Sequence, residues 1–399
     1  MLVELHLLTS HAPSNLNRDD FGRPKTALFG GTERGRISSQ ALKRAIRTSP
    51  YLHDRLDRAV ETRSLHIPLK IYNALKADYA GDEEKLERLG IACEAVGNGL
   101  GKTEAADGDD SGFELKTKQI VFLTQGEIDR LTAFVCEVVE SDDKLTKKAT
   151  KELGKEVAKR TGLDQRPDDG VFVALFGRMT TDDANSFAAV DASMQVAHPI
   201  ATHTTPTETD YFTAVDDWKA DTSERGSGHI GELDFNSAVY YKYLSCDLDG
   251  LVRNLGGDDD PEGARNAALD ALATVFDAAC RVTPTGKQNS FASHSLADVA
   301  LLVVRPQTVP CSLATAFERA VPESPEGYTS ASAEAMLERY TRIRAGYELG
   351  DDRAALFSIV DGREGDPLEA DRVESVGKLS ELWDLMRAYV DDTANAPAA

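Results

Sequence analysis

The chain has 399 residues, 41% of them hydrophobic, and a formal net charge of −22 with a sequence pI near 4.8; that length supports one large domain or two with a substantial core. No run approaches the roughly 18 apolar residues of a membrane span, and Cys93, Cys136, Cys246, Cys280 and Cys311 are odd in number and too widely spaced for a disulfide framework or a zinc site. With no basic start or small-residue cleavage site in MLVELHLLTS, the expected compartment is the cytoplasm, and the acidic pI speaks against generic nucleic-acid binding, since such proteins usually present a basic surface.

Residues 2–8, LVELHLL, alternate as a first strand with Val3, Leu5 and Leu7 on one face. His6 and His11 read as a strand residue and a turn residue rather than as metal ligands. Residues 15–47, NLNRDDFGRPKTALFGGTERGRISSQALKRAIR, reverse the charge of the chain. From 18 to 47, eight Lys or Arg (18, 23, 25, 34, 36, 43, 44 and 47) face three acids (19, 20 and 33), a local +5 that leaves −27 for everything else. From Ser38 onward the spacing is helical: Gln40, Lys43, Arg44 and Arg47 share one narrow arc, and Ala41, Leu42, Ala45 and Ile46 take the opposite one. Ser38 is the expected N-cap, entered through a Gly30-Gly31 loop. A helix N-terminus offers unpaired N–H groups and the positive end of a dipole, so a phosphate can sit there with Ser38, Ser39 and the basic stripe beside it. The competing reading is an ordinary solvated helix face. A basic site survives in an acidic chain if the acids face away, because exposed charges beyond about 10 Å are largely screened at 0.1 M salt.

Pro50 marks a break, and residues 51–63 read as a further charged helix. The composition from about 60 to 160 is helical and highly charged, interrupted at 102–118 by an expected exposed loop. Residues 127–140 carry Ile128, Leu131, Val135 and Val138 at core spacing. Residues 144–160 form another helix, whose lysines are interleaved with Glu152 and Glu156 for pairing on a wet face. GVFVALFGRM, residues 170–179, has the pattern of a buried strand ending in a glycine turn, with Met179 after Arg178. Regularity fails from 197 to 234, yet Tyr211, Phe212 and Trp218 there predict an ordered, protruding arm rather than a disordered linker. Its histidines are too irregularly spaced for a metal site. Further strands are expected at 233–248, 299–304 and 355–361, with helices at 261–282, 331–347 and 378–391 and a glycine loop at Lys287 and Gln288. Tyr240, Tyr241 and Tyr243 fall where an RNA-recognition sheet stacks bases, but core or edge packing is the expected role for them. Strands separated by helices with long insertions predict an α+β sandwich of ferredoxin-like type.

Four motifs in order, SHAPSNLNRDD, ALFGG, RGRISSQALKRAIR and DYFTAVDDW, resemble CasC, the backbone subunit of the type I-E CRISPR Cascade complex. The resemblance implies a non-catalytic RNA-binding subunit with a ferredoxin-like (RRM-like) palm at 1–60, 193–204 and 236–399, a helical fingers insertion at 61–192 and a thumb at 205–235. It implies no cofactor, and several copies stacked along a crRNA that pairs with target DNA. The other expected partners are the large, small and crRNA-end-binding Cascade subunits. It places RNA contacts at Arg18, Lys25, Ser38, Gln40, Lys43 and Arg47, with Lys287 and Gln288 later, and Arg44 joins them on the basic stripe. Phe212 and Met179 match residues that wedge where the thumb folds over the guide and displace a base. Related type III backbone subunits cut RNA with a loop aspartate, for which Asp19 and Asp20 are the candidates here, although aspartates in such loops equally cap turns.

Overall fold

The structure is a computed structural model describing residues 1–395 except 57–60, 106–112, 114, 143–144, 146, 168–169, 180–186, 216–226, 307–308 and 363–364. Trp218, assigned above to the arm, lies outside the described residues. In chain order the elements begin with β1 (Leu2–Ser14), β2 (Thr26–Phe29), β3 (Thr32–Gly35), α1 (Ser39–Arg47) and α2 (Pro50–His53). There follow β4 (Thr62–Ser64), α3 (Ile67–Leu75), α4 (Glu83–Leu100), β5 (Thr103–Ala105), β6 (Leu115–Thr117), β7 (Val121–Leu123), α5 (Gln125–Glu140), α6 (Lys147–Thr161) and α7 (Val171–Phe176). The chain continues through β8 (Met194–Val196), β9 (Ile200–Ala201), β10 (Glu208–Val215), β11 (Ser227–Asp247), α8 (Leu248–Asn254) and α9 (Pro261–Arg281). It closes with α10 (Gln288–Phe291), β12 (Val299–Arg305), α11 (Thr329–Gly346), β13 (Arg353–Ser358), β14 (Val373–Val376) and α12 (Leu379–Asn395). The expected α+β class is what these elements form. Among them no helix is long and apolar enough to cross a membrane.

The chain divides into two compact units. Unit 1 comprises Met1–Arg55, Gln195–Asp247 and Leu272–Ala399; unit 2 comprises Leu56–Met194 and Leu248–Ala271, the latter a stretch within the palm range 236–399 expected above. Unit 1 is built on a mixed sheet in the order β10-β11-β1-β12-β13-β14, with β8 and β9 also on β11. β1 lies between β11 and β12, antiparallel to both, with Leu8 opposite Tyr241 on one side and Val299 on the other. Both faces of β1 are covered, so it is buried over eight consecutive residues despite its polar Glu4 and His6. It runs six residues beyond the expected end, because β11 supplies partners as far as Ser14 opposite Asn236, and His11 is therefore a strand residue, not a turn residue. The arm expected from 197 to 234 contains regular structure: β10 and the first half of β11 pair antiparallel from Glu208–Phe235 to Val215–Ser227. Tyr240, Tyr241 and Tyr243 are buried, as expected for core residues.

Unit 2 packs α3, α4, α5 and α6 around Leu89, Val96, Leu131, Val135 and Val157. α5 opens with a capping box, the Thr124 side chain accepting from Glu127 N–H and the Glu127 carboxylate accepting from Thr124 N–H. Glu127 also takes Arg178 at 2.8 Å in a buried ion pair. On α6, Lys155 pairs with Glu152 and Arg160 with Glu137, so this basic run is partly neutralised. Three expectations are corrected here. Residues 170–179 contain the helix α7 rather than a strand: an apolar run buried all round has no diagnostic period, and its first N–H groups, at Phe172 and Val173, are satisfied by the distant carboxylate of buried Glu61. The helix expected over 51–63 stops at His53, and Thr62–Ser64 pairs with β7 instead. Within the expected loop 102–118, Thr103–Ala105 and Leu115–Thr117 pair as strands.

A buried charge network ties together the centre of the unit 1 sheet. Arg305 donates to Glu4 Oε2 at 3.1 and 2.9 Å and lies 3.0 Å from Asp352 Oδ2. The other Glu4 oxygen accepts Cys311 N–H at 2.7 Å and the Tyr243 hydroxyl. Removing the cation of such a network leaves two buried carboxylates uncompensated, so Arg305→Gln should destabilise unit 1 by about 3 kcal/mol. Trp383 lies in unit 1, so the midpoint of urea unfolding followed by tryptophan fluorescence checks this; an unchanged midpoint would contradict it.

The buried histidines set a pH dependence. Burial lowers His6 and His11 to about 3, aided by Arg305 for the first and Lys242 for the second. Burial raises Asp352 to about 6 in spite of Arg305. Between about pH 6.5 and 3 the unfolded histidines bind protons that the folded ones refuse, so their stability contribution is full above that window and lost as pH falls through it. Asp352 acts in the opposite sense between about 6 and 3.8, because its folded form protonates first. Two groups against one leave a net loss of about 1.4 kcal/mol per pH unit where the windows overlap. His11→Gln should remove about that much of the slope, checked by unfolding midpoints at pH 7 and 5; equal losses in both proteins would contradict the assignment.

Candidate nucleic-acid interface

Beyond Ser14 the chain enters a loop held from within. Asn15 Nδ2 donates to the carbonyls of Gly22 at 2.9 Å and Asp234 at 2.7 Å. Asp19 Oδ1 accepts the backbone N–H groups of Phe21 and Arg23, each at 2.9 Å, so this aspartate caps a turn. Arg18 bridges to Pro24 through the backbone, Lys25 N–H reaches Asn17 O at 2.8 Å, and Arg23 lies 3.3 Å from Asp234. These contacts leave Arg18 exposed and Lys25 half-buried. The Gly30-Gly31 pair serves a different end from the one expected. With φ of 58° and 81°, the two residues form the tight turn of the β2–β3 hairpin, and a Cβ on Gly30 would lie 1.6 Å from the Glu318 carbonyl oxygen. They shape the hairpin rather than the approach to α1.

α1 follows its sequence closely. The Ser38 side chain accepts Ala41 N–H at 3.2 Å, and Ser38 N–H is bound by Asn17 Oδ1 at 2.8 Å, which ties the helix start to the loop. Leu42, Ala45 and Ile46 are buried, Gln40 and Arg44 are exposed, and Lys43 and Arg47 are half-buried. Not every cation of the basic stretch faces solvent. Arg34 is fully buried and donates to Thr32 Oγ1 and to the carbonyls of Ala201, Thr202, Phe317 and Glu318; it is a staple. Arg36 donates to His198 Nδ1 at 2.7 Å. Burial, Arg36 and Lys25 together lower the His198 pKa, which keeps that imidazole a neutral acceptor.

A cleft of about 350 Å³ joins this stretch to one far along the chain. It is lined by Asn17, Arg18 and Asp19 from the loop, Arg44 from α1, and Thr285 and Gly286 from the turn before α10. A Cβ at Gly286 would lie 2.2 Å from Leu16 O and 2.8 Å from Asn15 O, so the close approach of the two loops requires glycine. Lys287 follows in a left-handed conformation, φ 53°. Gln288 Nε2 donates to Pro284 O and Ser293 O, both at 3.1 Å, and so shapes its own loop. The structure thus brings Arg18 and Arg44 to one place beside Thr285 and Gly286, while Lys25, Ser38, Gln40, Lys43, Arg47, Lys287 and Gln288 are not among the cleft-lining residues. Asn17 was missed in the sequence, and Gly286 was read only as the glycine of the Lys287–Gln288 loop, without its approach to Leu16. Phe212, 45% exposed on β10 of unit 1, covers Gly231 of the opposite strand, where a Cβ would fall 2.3 Å from the ring. Met179, in unit 2, is 89% exposed next to the anchored Arg178. Among the described residues no group of three His, Cys, Asp or Glu is placed to hold a metal ion.

No curated protein matches the sequence. Among solved structures, a chain of a CRISPR RNA-guided surveillance complex in a pre-nicking state superposes with a TM-score of 0.78 at 30% identity, over 97% of this chain and 99% of that one. A chain of another CRISPR RNA-guided surveillance complex gives a TM-score of 0.59 at 24% identity over 98% and 100%, a likeness of fold. The model of the CT1975-like protein family, a Cas family, matches residues 3–384, nearly the whole chain, and the chain belongs to that family.

Proposed function

We propose that the chain is the backbone subunit of a type I-E CRISPR surveillance complex, where it grips the guide crRNA along its sugar-phosphate backbone and acts without chemistry of its own. In this reading unit 1 is the ferredoxin-like palm carrying the thumb hairpin, and unit 2 is the fingers. Copies of the chain associate head to tail along the RNA beside the other Cascade subunits, and heterologous contacts of that kind propagate when the rotation between neighbours does not close. The observation that carries the reading is the convergence of Arg18, Arg44 and the Pro284–Gly286 turn on one cleft beside the α1 stripe, in a Cas-family chain similar to chains of RNA-guided complexes. Arg18 stands on a loop and Arg44 on the wet face of α1, neither on a base-reading sheet, and phosphate contacts position a strand without reading its sequence. A protein that serves many guides needs that indifference. The thumb and fingers wedge of Phe212 and Met179 is part of the same proposal: an apolar contact on a displaced base offsets the few kcal/mol of unstacking. Cutting by a loop aspartate is the weaker reading, because Asp19 is engaged in holding its own turn.

Replacing Lys43 and Arg47 together by Ala should weaken binding by a similar factor for RNAs of unrelated sequence. The slope of log K against log salt should become shallower by about 1.4, two phosphate contacts on a single strand. A loss confined to one sequence, or an unchanged salt slope, would contradict backbone gripping.

A further inference from the structure

We infer that Phe21 is a stacking platform for one nucleobase of the bound RNA, an inference that rests on the RNA-binding reading above and adds a base contact to it. The ring is 88% exposed, at the tip of the loop that follows β1. Its backbone is nonetheless among the most firmly held in that loop: Phe21 N–H is fixed by Asp19 Oδ1, Gly22 N–H by Asp19 O at 3.2 Å, Gly22 O by Asn15 Nδ2, and Asp19 N–H by Arg23 O at 2.9 Å. A large apolar side chain shown to solvent on a rigid turn loses little further freedom on binding, which favours an apolar face meeting it there. The ring projects two residues after Asp19 and three after Arg18, both of which line the cleft. A strand held by its phosphates along that cleft therefore passes within reach of the tip.

The surroundings select a base over a protein partner. Phe21 stands between exposed Asp20 and exposed Gly22, so the chain on either side of it adds no apolar side chain toward the contiguous patch of several hundred Å² that a protein interface uses. One nucleobase needs one ring face. Aromatic stacking is indifferent to base identity because every base has a π-face, so the contact agrees with a protein that holds many guides. It also gives the loop a task that phosphate contacts cannot perform, fixing the orientation of one base relative to the backbone.

The test compares the full chain with Phe21→Ala and Phe21→Trp on two single-stranded RNAs of equal length, one of ordinary sequence and one with abasic sites throughout. Phe21→Ala should weaken binding of ordinary RNA by about 5- to 150-fold, the range for loss of one stacked base. It should leave the abasic RNA and the salt slope unchanged, and Phe21→Trp should bind ordinary RNA at least as tightly as the parent. Equal losses on both RNAs, no loss on ordinary RNA, or a change in assembly state alone would overturn the assignment. Failure of the parent chain to bind either RNA would overturn both this inference and the RNA-gripping reading, whereas normal parental binding with an indifferent Phe21→Ala removes only the stacking contact.

Discussion

The register of β1 between β11 and β12 is the constraint from which the functional surface follows. Because β1 is antiparallel to both neighbours, the end by which it leaves the sheet is the end from which they enter it. The loop after Ser14, the β10–β11 hairpin and the Thr285–Gln288 turn before β12 therefore gather at one end of the sheet. A slip of one residue would turn Glu4 and His6 away from Arg305 and Tyr241 and pull Gly286 off the Leu16 carbonyl. The register is held by covered faces and by buried polar side chains that each have one geometry, Glu4 with Arg305 and Cys311 N–H, and His6 Nδ1 with the Tyr241 hydroxyl at 2.9 Å.

An acidic chain that commits cations to its interior has fewer left for its surface. Arg34 and Arg305 are fully buried, and Arg344 holds the carbonyls of Leu349, Gly350 and Asp352, each at 3.2 Å. Arginine suits this work because its planar fork can serve several fixed acceptors at once. Glu4, Glu61, Glu127 and Asp352 are buried as well, so the basic stripe stands out through the local excess of cations over acids in residues 18–47 and not through burial of cations elsewhere. The same separation confines attraction for a polyanion to one region, since exposed charges act over about one Debye length.

Much of this was legible in the sequence where local physics decides. The two faces of α1, its Ser38 cap, α5, α9 and β12 all follow from period and capping signals, and the tyrosines of β11 were read correctly as core. What escaped reading depends on residues distant in the chain. α7 is a helix because Glu61 caps it, Arg34 is a staple because four carbonyls from 201, 202, 317 and 318 converge on it, and Gly286 matters because Leu16 lies against it. At the candidate site the cations were visible as a set, but which of them face solvent was not, because burial is a property of the sheet rather than of the stretch that carries the charge.

The most direct measurement is to purify the chain from its native host under gentle conditions and sequence the RNA that accompanies it. Backbone gripping of guides predicts RNAs of uniform length whose internal sequences are unrelated to one another. Recovery of no RNA, of a single RNA species, or of cellular fragments of random length would contradict it.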